Sequence, residues 1–293
     1  MYMKNIINKI INISDNINIL GMGEATHGQK KITDLRIKIF KKLVKKNNYT
    51  VFVLEEQYSC CELINKYIKT GIGKPKNILK CFSFPWSNIE ILNLIKWMRK
   101  YNINNNNILE FKGIDCQSIC DKYKSNSIIN NFVIKCNKKY LKYKNYNERD
   151  LIMFKIFMKL YNKTKKYFLY FHMYHLQKKY NTFGFYLYKK FKNKYYAIGN
   201  SFYYGSYIGK DIINNDNIKI VKIKKIKIKN KNKLNEGLHI NVSTPNYDKK
   251  IIYQGNINVN SKYPLKKYTP FFIGELFDAV IIINNEKPFT IIK

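Results

Sequence analysis

The feature that most constrains this fold is a repeated alternation of short apolar runs with longer amphipathic segments. A run such as Val51 to Leu54 is continuously apolar, which is typical of a strand buried on both faces. Residues 30–46 instead keep an apolar period of about 3.6 residues, which predicts a helix. The predicted strands are 16–22, 49–54, 108–114, 167–171, 195–198 and 278–283, and the predicted helices are 1–13, 30–46, 58–69, 87–101 and 182–192, with further helices within 118–165.

This order of elements predicts an α/β protein. Strands that alternate with helices form a mostly parallel central sheet with helices on both faces. We expect one domain over residues 1–293, in which the helical segment of about 118–165 is a small lid insertion. The apolar fraction of 45% is sufficient for a sizeable core.

Polar residues follow four of the predicted strands at the point where each strand ends. The carboxyl ends of parallel strands share one edge of a sheet, where open α/β folds bind their ligands. Residues far apart in the sequence are therefore expected to converge in one crevice. They are Glu24 with His27, Glu55, Asp115, and His172 with His175.

These residue types are suited to acid–base chemistry. A catalytic histidine needs a neighbour that sets its tautomer, and Glu24 lies three residues before His27. Arg36, in the second turn of the next helix, is placed to point back toward His27. With Glu55, His172 and His175, the set offers general bases and cationic groups for a developing oxyanion. Three of the four histidines fall at strand ends, which favours a functional role over a purely structural one.

The reaction class that this set suggests is hydrolysis by an activated water molecule. No Gly-x-Ser-x-Gly motif is present and no cysteine has a matching histidine motif, which disfavours an acyl-enzyme. Glu24/His27 and His172/His175 have a spacing that metal sites use, but on helices rather than on strand-to-helix turns. A non-catalytic protein that binds a ligand or a metal on the same fold is the alternative. Asp115 is interpreted as a cap of the following helix and is left out of the catalytic set.

The net charge of +35 is more extreme than that of most globular proteins. Lys, Asn, Ile and Tyr recur along the whole chain, and their A/T-rich codons account for this surface without a partner. The charge is spread rather than gathered in one arm, so we expect no specific nucleic-acid binding. In residues 218–229, Ile and Val largely alternate with Lys, which predicts a strand whose lysines protect an exposed edge.

Composition also bears on location. No stretch approaches the roughly 18 apolar residues of a membrane span, and the N-terminal residues lack a signal-peptide pattern. Six cysteines show no zinc spacing, which favours free thiols. The expected location is the cytoplasm.

Taken in order, the motifs resemble those of the erythromycin esterase family over most of the chain. The matching segments are Gly23-Glu24-Ala25-Thr26-His27-Gly28, Asp34-Leu35-Arg36, Leu54-Glu55, Phe84-Pro85-Trp86 with the helix after it, Gly113-Ile114-Asp115-Cys116-Gln117, Glu148-Arg149-Asp150 with Met153, Phe171-His172-Met173-Tyr174-His175 and Phe277-Asp278-Ala279-Val280.

The resemblance implies a metal-independent hydrolase, needing no cofactor, that opens macrolide lactones and so takes part in the response to antibiotics. His27 would activate water, Glu24 and Glu55 would orient it or share its proton, and Arg36, His172 and His175 would bind substrate and stabilise the oxyanion. The partner is a small ester or lactone, which need not be erythromycin itself.

The chain departs from the family pattern at Met173, where the family has Asn, and after Met153, where an Ala and an Asn are missing. The segment between Asp115 and His172 is also shorter, which predicts a reduced lid. All six expected site residues are present, which argues for a retained activity.

Overall fold

The computed structural model describes residues 2–106, 108–119, 127–143, 146–202, 204–211, 217–223, 237–240 and 273–292. The helices are α1 (Tyr2–Ile13), α2 (Lys30–Asn47), α3 (Tyr58–Thr70), α4 (Pro75–Leu79), α5 (Ile89–Asn104), α6 (Ile128–Tyr143), α7 (Tyr146–Leu160), α8 (Met173–Leu176), α9 (Phe183–Phe191) and α10 (Ile273–Leu276). The strands are β1 (Ile19–Glu24), β2 (Tyr49–Gln57), β3 (Glu110–Asp115), β4 (Lys166–His172), β5 (Tyr195–Ser201), β6 (Gly205–Asp211), β7 (Asn217–Ile223), β8 (Gly237–Ile240) and β9 (Ala279–Ile282).

Within the described residues, seven strands form a central sheet in the order β3-β2-β4-β1-β5-β9-β8. All neighbouring pairs from β3 to β9 are parallel, and only β8 runs antiparallel to its neighbour β9. The remaining strands, β6 and β7, form a separate antiparallel pair. The predicted mostly parallel sheet is thus confirmed.

Both faces of the sheet are covered, because side chains that alternate along each strand enter two different cores. In β2, Phe52 and Leu54 join a cluster with residues of α1 to α5, while Val51 and Val53 join a cluster with α6, α7 and α9. Each fully buried side chain of this size stabilises the fold by about 1.5–3 kcal/mol. This two-sided burial explains the continuous apolar runs in the sequence.

The observed strands extend farther at their carboxyl ends than the apolar runs do. β1 ends at Glu24 and β4 at His172, and these two residues are paired across the sheet. Similarly, β2 continues through Glu55 to Gln57, and β3 ends at Asp115. Hydrogen bonds between strands satisfy the backbone whatever the side chain is, so pairing continues into the polar residues.

The structure differs from the sequence prediction after β4 and in the Lys-rich segment. The short helix α8 follows β4 directly, and the Nδ1 atom of His172 accepts the Tyr174 N–H at its start, at 3.3 Å. The Lys-rich segment 218–229 is a strand up to Ile223, but it pairs with β6 outside the central sheet. Its remainder lies outside the described residues, as do 120–126 and 144–145 of the predicted helical insertion.

None of the helices in the described part of the chain has both the length and the apolar character that crossing a membrane requires.

Candidate active site

His27 lies in the turn that joins β1 to α2, and Gly28 fixes the path of this turn. Gly28 has a φ of +86°, and a Cβ atom there would lie 2.1 Å from the carbonyl oxygen of Ile208. The Gly28 carbonyl accepts the N–H groups of Ile208 at 3.2 Å and Phe289 at 3.3 Å. The turn is therefore held by β6 and by the C-terminal segment, and only glycine fits at its centre.

The imidazole of His27 is oriented by Glu24. Nδ1 of His27 lies 2.5 Å from Oε1 of Glu24, whose side chain is buried. The other carboxylate oxygen of Glu24 accepts a hydrogen bond from Arg36, which compensates the buried negative charge. The contact with a carboxylate places the proton of the neutral ring on Nδ1.

Arg36 is completely buried, so it acts on the site through Glu24. Its Nη1 atom donates to the Met22 carbonyl at 3.0 Å and to the Phe171 carbonyl at 3.4 Å. Its guanidinium lies over the Tyr170 ring, 3.5 Å from the ring centroid. These contacts fix the guanidinium against the ends of β1 and β4, out of reach of a substrate.

His27 is the more accessible member of the pair. Its side chain is 14% exposed, against 1% for Glu24. Its ring packs edge-on against Trp86, with 5.0 Å between centroids, and lies 5.2 Å from the His172 ring. Within the described residues, Nε2 of His27 has no hydrogen-bond partner, so this nitrogen is available as a base.

His172 is held in one neutral tautomer. Its Nδ1 accepts the Tyr174 N–H, and its Nε2 lies 3.2 Å from the Ala25 carbonyl, to which it donates. Burial and the neighbouring His27 lower its pKa to about 4. Both ring nitrogens therefore have hydrogen-bond partners, and His172 packs beside His27 as a neutral side chain.

A second cluster lies at the ends of β2 and β3, around the buried guanidinium of Arg149. Nε and Nη2 of Arg149 donate to the two carboxylate oxygens of Asp115, at 3.0 and 2.8 Å. Nη2 also donates to Oε1 of Glu55 at 3.0 Å. Such bidentate pairing is specific to the planar guanidinium and explains why arginine stands here in a lysine-rich chain.

His175 completes this cluster between two carboxylates. Its Nδ1 lies 2.8 Å from Asp150 and its Nε2 lies 3.2 Å from Glu55. Burial alone would lower the pKa of His175, but Asp150 and Glu55 raise it to about 9. Burial would likewise raise the pKa of Glu55, but His175 and Arg149 hold it well below its usual range. The carboxylate of Glu55 and the imidazolium form of His175 therefore stabilise each other, and Nη1 of Arg149 also lies 3.0 Å from Nε2 of His175.

Glu55 connects the two clusters. Its Oε2 atom accepts the backbone N–H of His172 at 2.7 Å, while its Oε1 atom faces Arg149 and His175. When protonated, His27 is among the groups that lower the pKa of Glu55. The six residues expected from the sequence therefore lie in one connected arrangement.

Three further members of this arrangement were not in the predicted set: Asp115, Arg149 and Asp150. Asp115 does cap the local backbone, since it accepts the N–H groups of Cys116 and Gln117, but it also binds Arg149. Asp150 also accepts the N–H of Phe183, which ties His175 to α9. The sequence placed Asp115 at a strand end, whereas the signal for Arg149 and Asp150 was the Glu148-Arg149-Asp150 cluster with its uncommon arginine.

Over the part of the chain that the structure describes, no group of three or more His, Cys, Asp or Glu side chains is arranged to hold a metal ion. The carboxylates of the site instead face guanidinium and imidazole groups.

The fold and this arrangement define an α/β protein with a histidine–carboxylate site at the carboxyl ends of its parallel strands. The family model described as erythromycin esterase matches residues 44–134. This match, together with the fold shared with a solved esterase, supports the resemblance of the chain to the erythromycin esterase family.

Three solved structures share the fold at low sequence identity. A Bacillus cereus protein is 18% identical, with a TM-score of 0.77 over 99% of this chain and 94% of its own. A succinoglycan biosynthesis protein is 17% identical, with a TM-score of 0.72 over 97% and 92%. A mutant of erythromycin esterase EreC, in its open conformation, is 11% identical, with a TM-score of 0.67 over 98% and 95%. Among curated proteins, none matches the sequence.

Proposed function

We propose that this protein is a hydrolase that cleaves a carboxylic ester or a macrolactone with a water molecule activated by His27. The observation that carries the proposal is the 2.5 Å contact between Nδ1 of His27 and Glu24 in a buried setting. This contact leaves Nε2, on the more accessible side of the ring, as the base.

The reaction follows from these positions. Nε2 of His27 takes a proton from water, and the hydroxide attacks the ester carbonyl to form a tetrahedral intermediate. Collapse of this intermediate breaks the bond to the alcohol oxygen, which takes the proton back from Nε2. Glu24 stabilises the imidazolium while it exists, and Arg36 keeps Glu24 in place. Ester and water give acid and alcohol, with no further reactant.

The other residues of the site lie around His27 and Glu24. Glu55 accepts the backbone N–H of His172, and the His172 ring packs beside the His27 ring. Because both nitrogens of His172 are engaged and Arg36 is buried, they act on an oxyanion through the field of the site rather than by direct hydrogen bonds.

Hydrolysis of a panel of simple esters, lactones and a macrolide tests the proposal, with and without a chelator. We expect chelator-resistant turnover that falls by about 100-fold or more in His27→Asn and in Glu24→Gln. The matched control is Glu110→Gln, because Glu110 pairs with Lys69 and Lys165 at the opposite end of β3. Equal turnover in wild type and His27→Asn, or turnover abolished by the chelator, would contradict the proposal.

A further inference from the structure

The first turn of α2 is capped by a residue from the far end of the chain. Helix N-termini leave backbone N–H groups without helical partners, and Gln29, which precedes α2, caps none of them with its own side chain. Instead, Glu286 accepts the N–H of Lys31 at 2.6 Å and of Ile32 at 3.4 Å. The Lys287 carbonyl accepts the N–H of Lys30 at 2.7 Å. The start of α2 is thus satisfied from the C-terminal segment 284–292.

A second line of contacts leads from Glu286 into the turn that carries His27. The amide nitrogen of Gln29 lies 3.5 Å from Oε2 of Glu286, and its amide oxygen accepts the Thr26 N–H at 3.2 Å. Gln29 and Thr26 are both completely buried. The backbone next to His27 is therefore tied to Glu286 through one side chain.

Glu286 is itself firmly placed. Its N–H donates to the Tyr204 carbonyl at 3.2 Å, and its own carbonyl accepts the Ser206 N–H at 2.8 Å. A Cβ atom at Gly205 would lie 2.2 Å from the backbone nitrogen of Glu286, so the two backbones are in close contact. These backbone contacts fix the position of Glu286, whereas a surface carboxylate that caps a helix has no such support.

We infer that Glu286 is a positioning residue for the reaction. Through Gln29 and the first turn of α2, it keeps the imidazole of His27 within hydrogen-bonding distance of Glu24. The inference rests on the proposed function, because it takes His27 as the base. Glu24 ends β1, whereas His27 lies beyond it in a turn without regular secondary structure. A turn of this kind keeps a 2.5 Å contact only if its backbone is fixed from outside, and a displacement of about 1 Å in such a contact costs up to 100-fold in rate.

Two variants test the inference. Glu286→Gln replaces one of the two acceptor oxygens by an amide donor but keeps the shape. Gln29→Leu breaks the link to Thr26 while leaving the contacts of Glu286 with Lys31 and Ile32. The first readout is the split between kcat and KM, where we expect kcat to fall by about 10–100-fold and KM to stay within about 2-fold. The second is the tautomer of His27 by ¹⁵N–¹H NMR on ¹⁵N-histidine-labelled protein, assigned by the loss of its signals in His27→Asn.

Wild type is expected to carry the proton of His27 on Nδ1, and both variants are expected to shift at least about half of the molecules to the Nε2–H form. The matched control is Glu110→Gln, because Glu110 pairs with Lys69 and Lys165 at the opposite end of β3, away from the site. It should leave the tautomer unchanged.

Folded variants with the wild-type tautomer and wild-type kcat would overturn the inference while leaving the proposed function intact. If no ester is hydrolysed even by wild type, the proposed function fails, and the tautomer measurement still decides whether Glu286 positions His27.

Discussion

His172 and His175 lie in the same junction between β4 and α8, yet their surroundings assign them opposite charge states. Both nitrogens of His172 are engaged with backbone groups, and burial with the nearby His27 lowers its pKa to about 4. His175 lies between Asp150 and Glu55, which raise its pKa to about 9 against the effect of burial. One is neutral and the other charged at pH 7.

The first prediction concerns the pH dependence of these two histidines. NMR titration of the histidine ring signals should show His172 titrating near pH 4 and His175 near pH 9, with the signals assigned by single His→Asn variants. The lowered pKa of His172 contributes stability that is present above about pH 6.5 and lost as pH falls toward 4. The raised pKa of His175 contributes stability that is full below about pH 6.5 and lost as pH rises through 9. Two histidines that titrate together near pH 6.5 would refute this assignment.

The second prediction concerns the buried guanidinium of Arg149. In Arg149→Met, Asp115 and Glu55 lose their shared cation, and removing one partner of a buried ion pair costs about 3–5 kcal/mol. We therefore expect the free energy of unfolding, measured with urea at pH 7, to fall by that amount. Arg99→Met is the matched control, because Arg99 donates to the carbonyls of Ile68 and Lys69 and has no carboxylate partner among the described residues. It should lose about 1 kcal/mol. Similar losses in both variants would show that the ion pairs of Arg149 contribute no more to the free energy of unfolding than the hydrogen bonds of Arg99.

The third prediction concerns Gly23, the residue before Glu24. A Cβ atom there would lie 2.6 Å from Cα and Cβ of Met173, so the junction that carries His172 and His175 must move in Gly23→Ala. We expect a loss of about 1–3 kcal/mol in the free energy of unfolding, together with a reduced kcat. Gly21→Ala, on the same strand, meets only the flexible end of Leu176 and the Tyr195 hydroxyl at 3.2–3.3 Å and should be milder. The prediction fails if the two variants are equally stable.

The fourth prediction concerns Glu56, whose side chain points away from the site that Glu55 faces. Glu56 accepts the N–H groups of Gln57 and Ser83, at 2.7 and 2.6 Å, but burial raises its pKa to about 8. A raised carboxyl pKa contributes stability that is full below about pH 4.5 and lost as pH rises through 8. Glu56→Gln should therefore reduce the fall in the free energy of unfolding between pH 6 and 9, by about 1–2 kcal/mol.

Urea titrations at several pH values measure this slope. Glu110→Gln is the control, because neighbouring lysines lower the pKa of Glu110 against the effect of burial and its titration lies outside this pH range. An unchanged slope in Glu56→Gln would show that Glu56 is already ionised at pH 6.

Much of the architecture could be predicted because it depends on local pattern. The continuous apolar run of β2 and the 3.6-residue period of α2 identify each element without knowledge of its neighbours. Placing Glu24, Glu55 and His172 at strand ends then required only the rule that parallel strands share an edge. The exact strand ends could not be predicted in this way, because pairing between backbones continues past the last apolar side chain.

The amino-acid sequence by itself determined the α/β architecture, the edge of the sheet that carries the site, and the pairing of His27 with Glu24, since these follow from periodicity and short spacing. Only the tertiary structure decided that Arg149 binds Asp115 and Glu55, that His172 and His175 differ in charge, and that Glu286 supports the turn of His27. The physical reason is that burial and charge pairing depend on distance in space, and these partners are separated by tens to hundreds of residues along the chain.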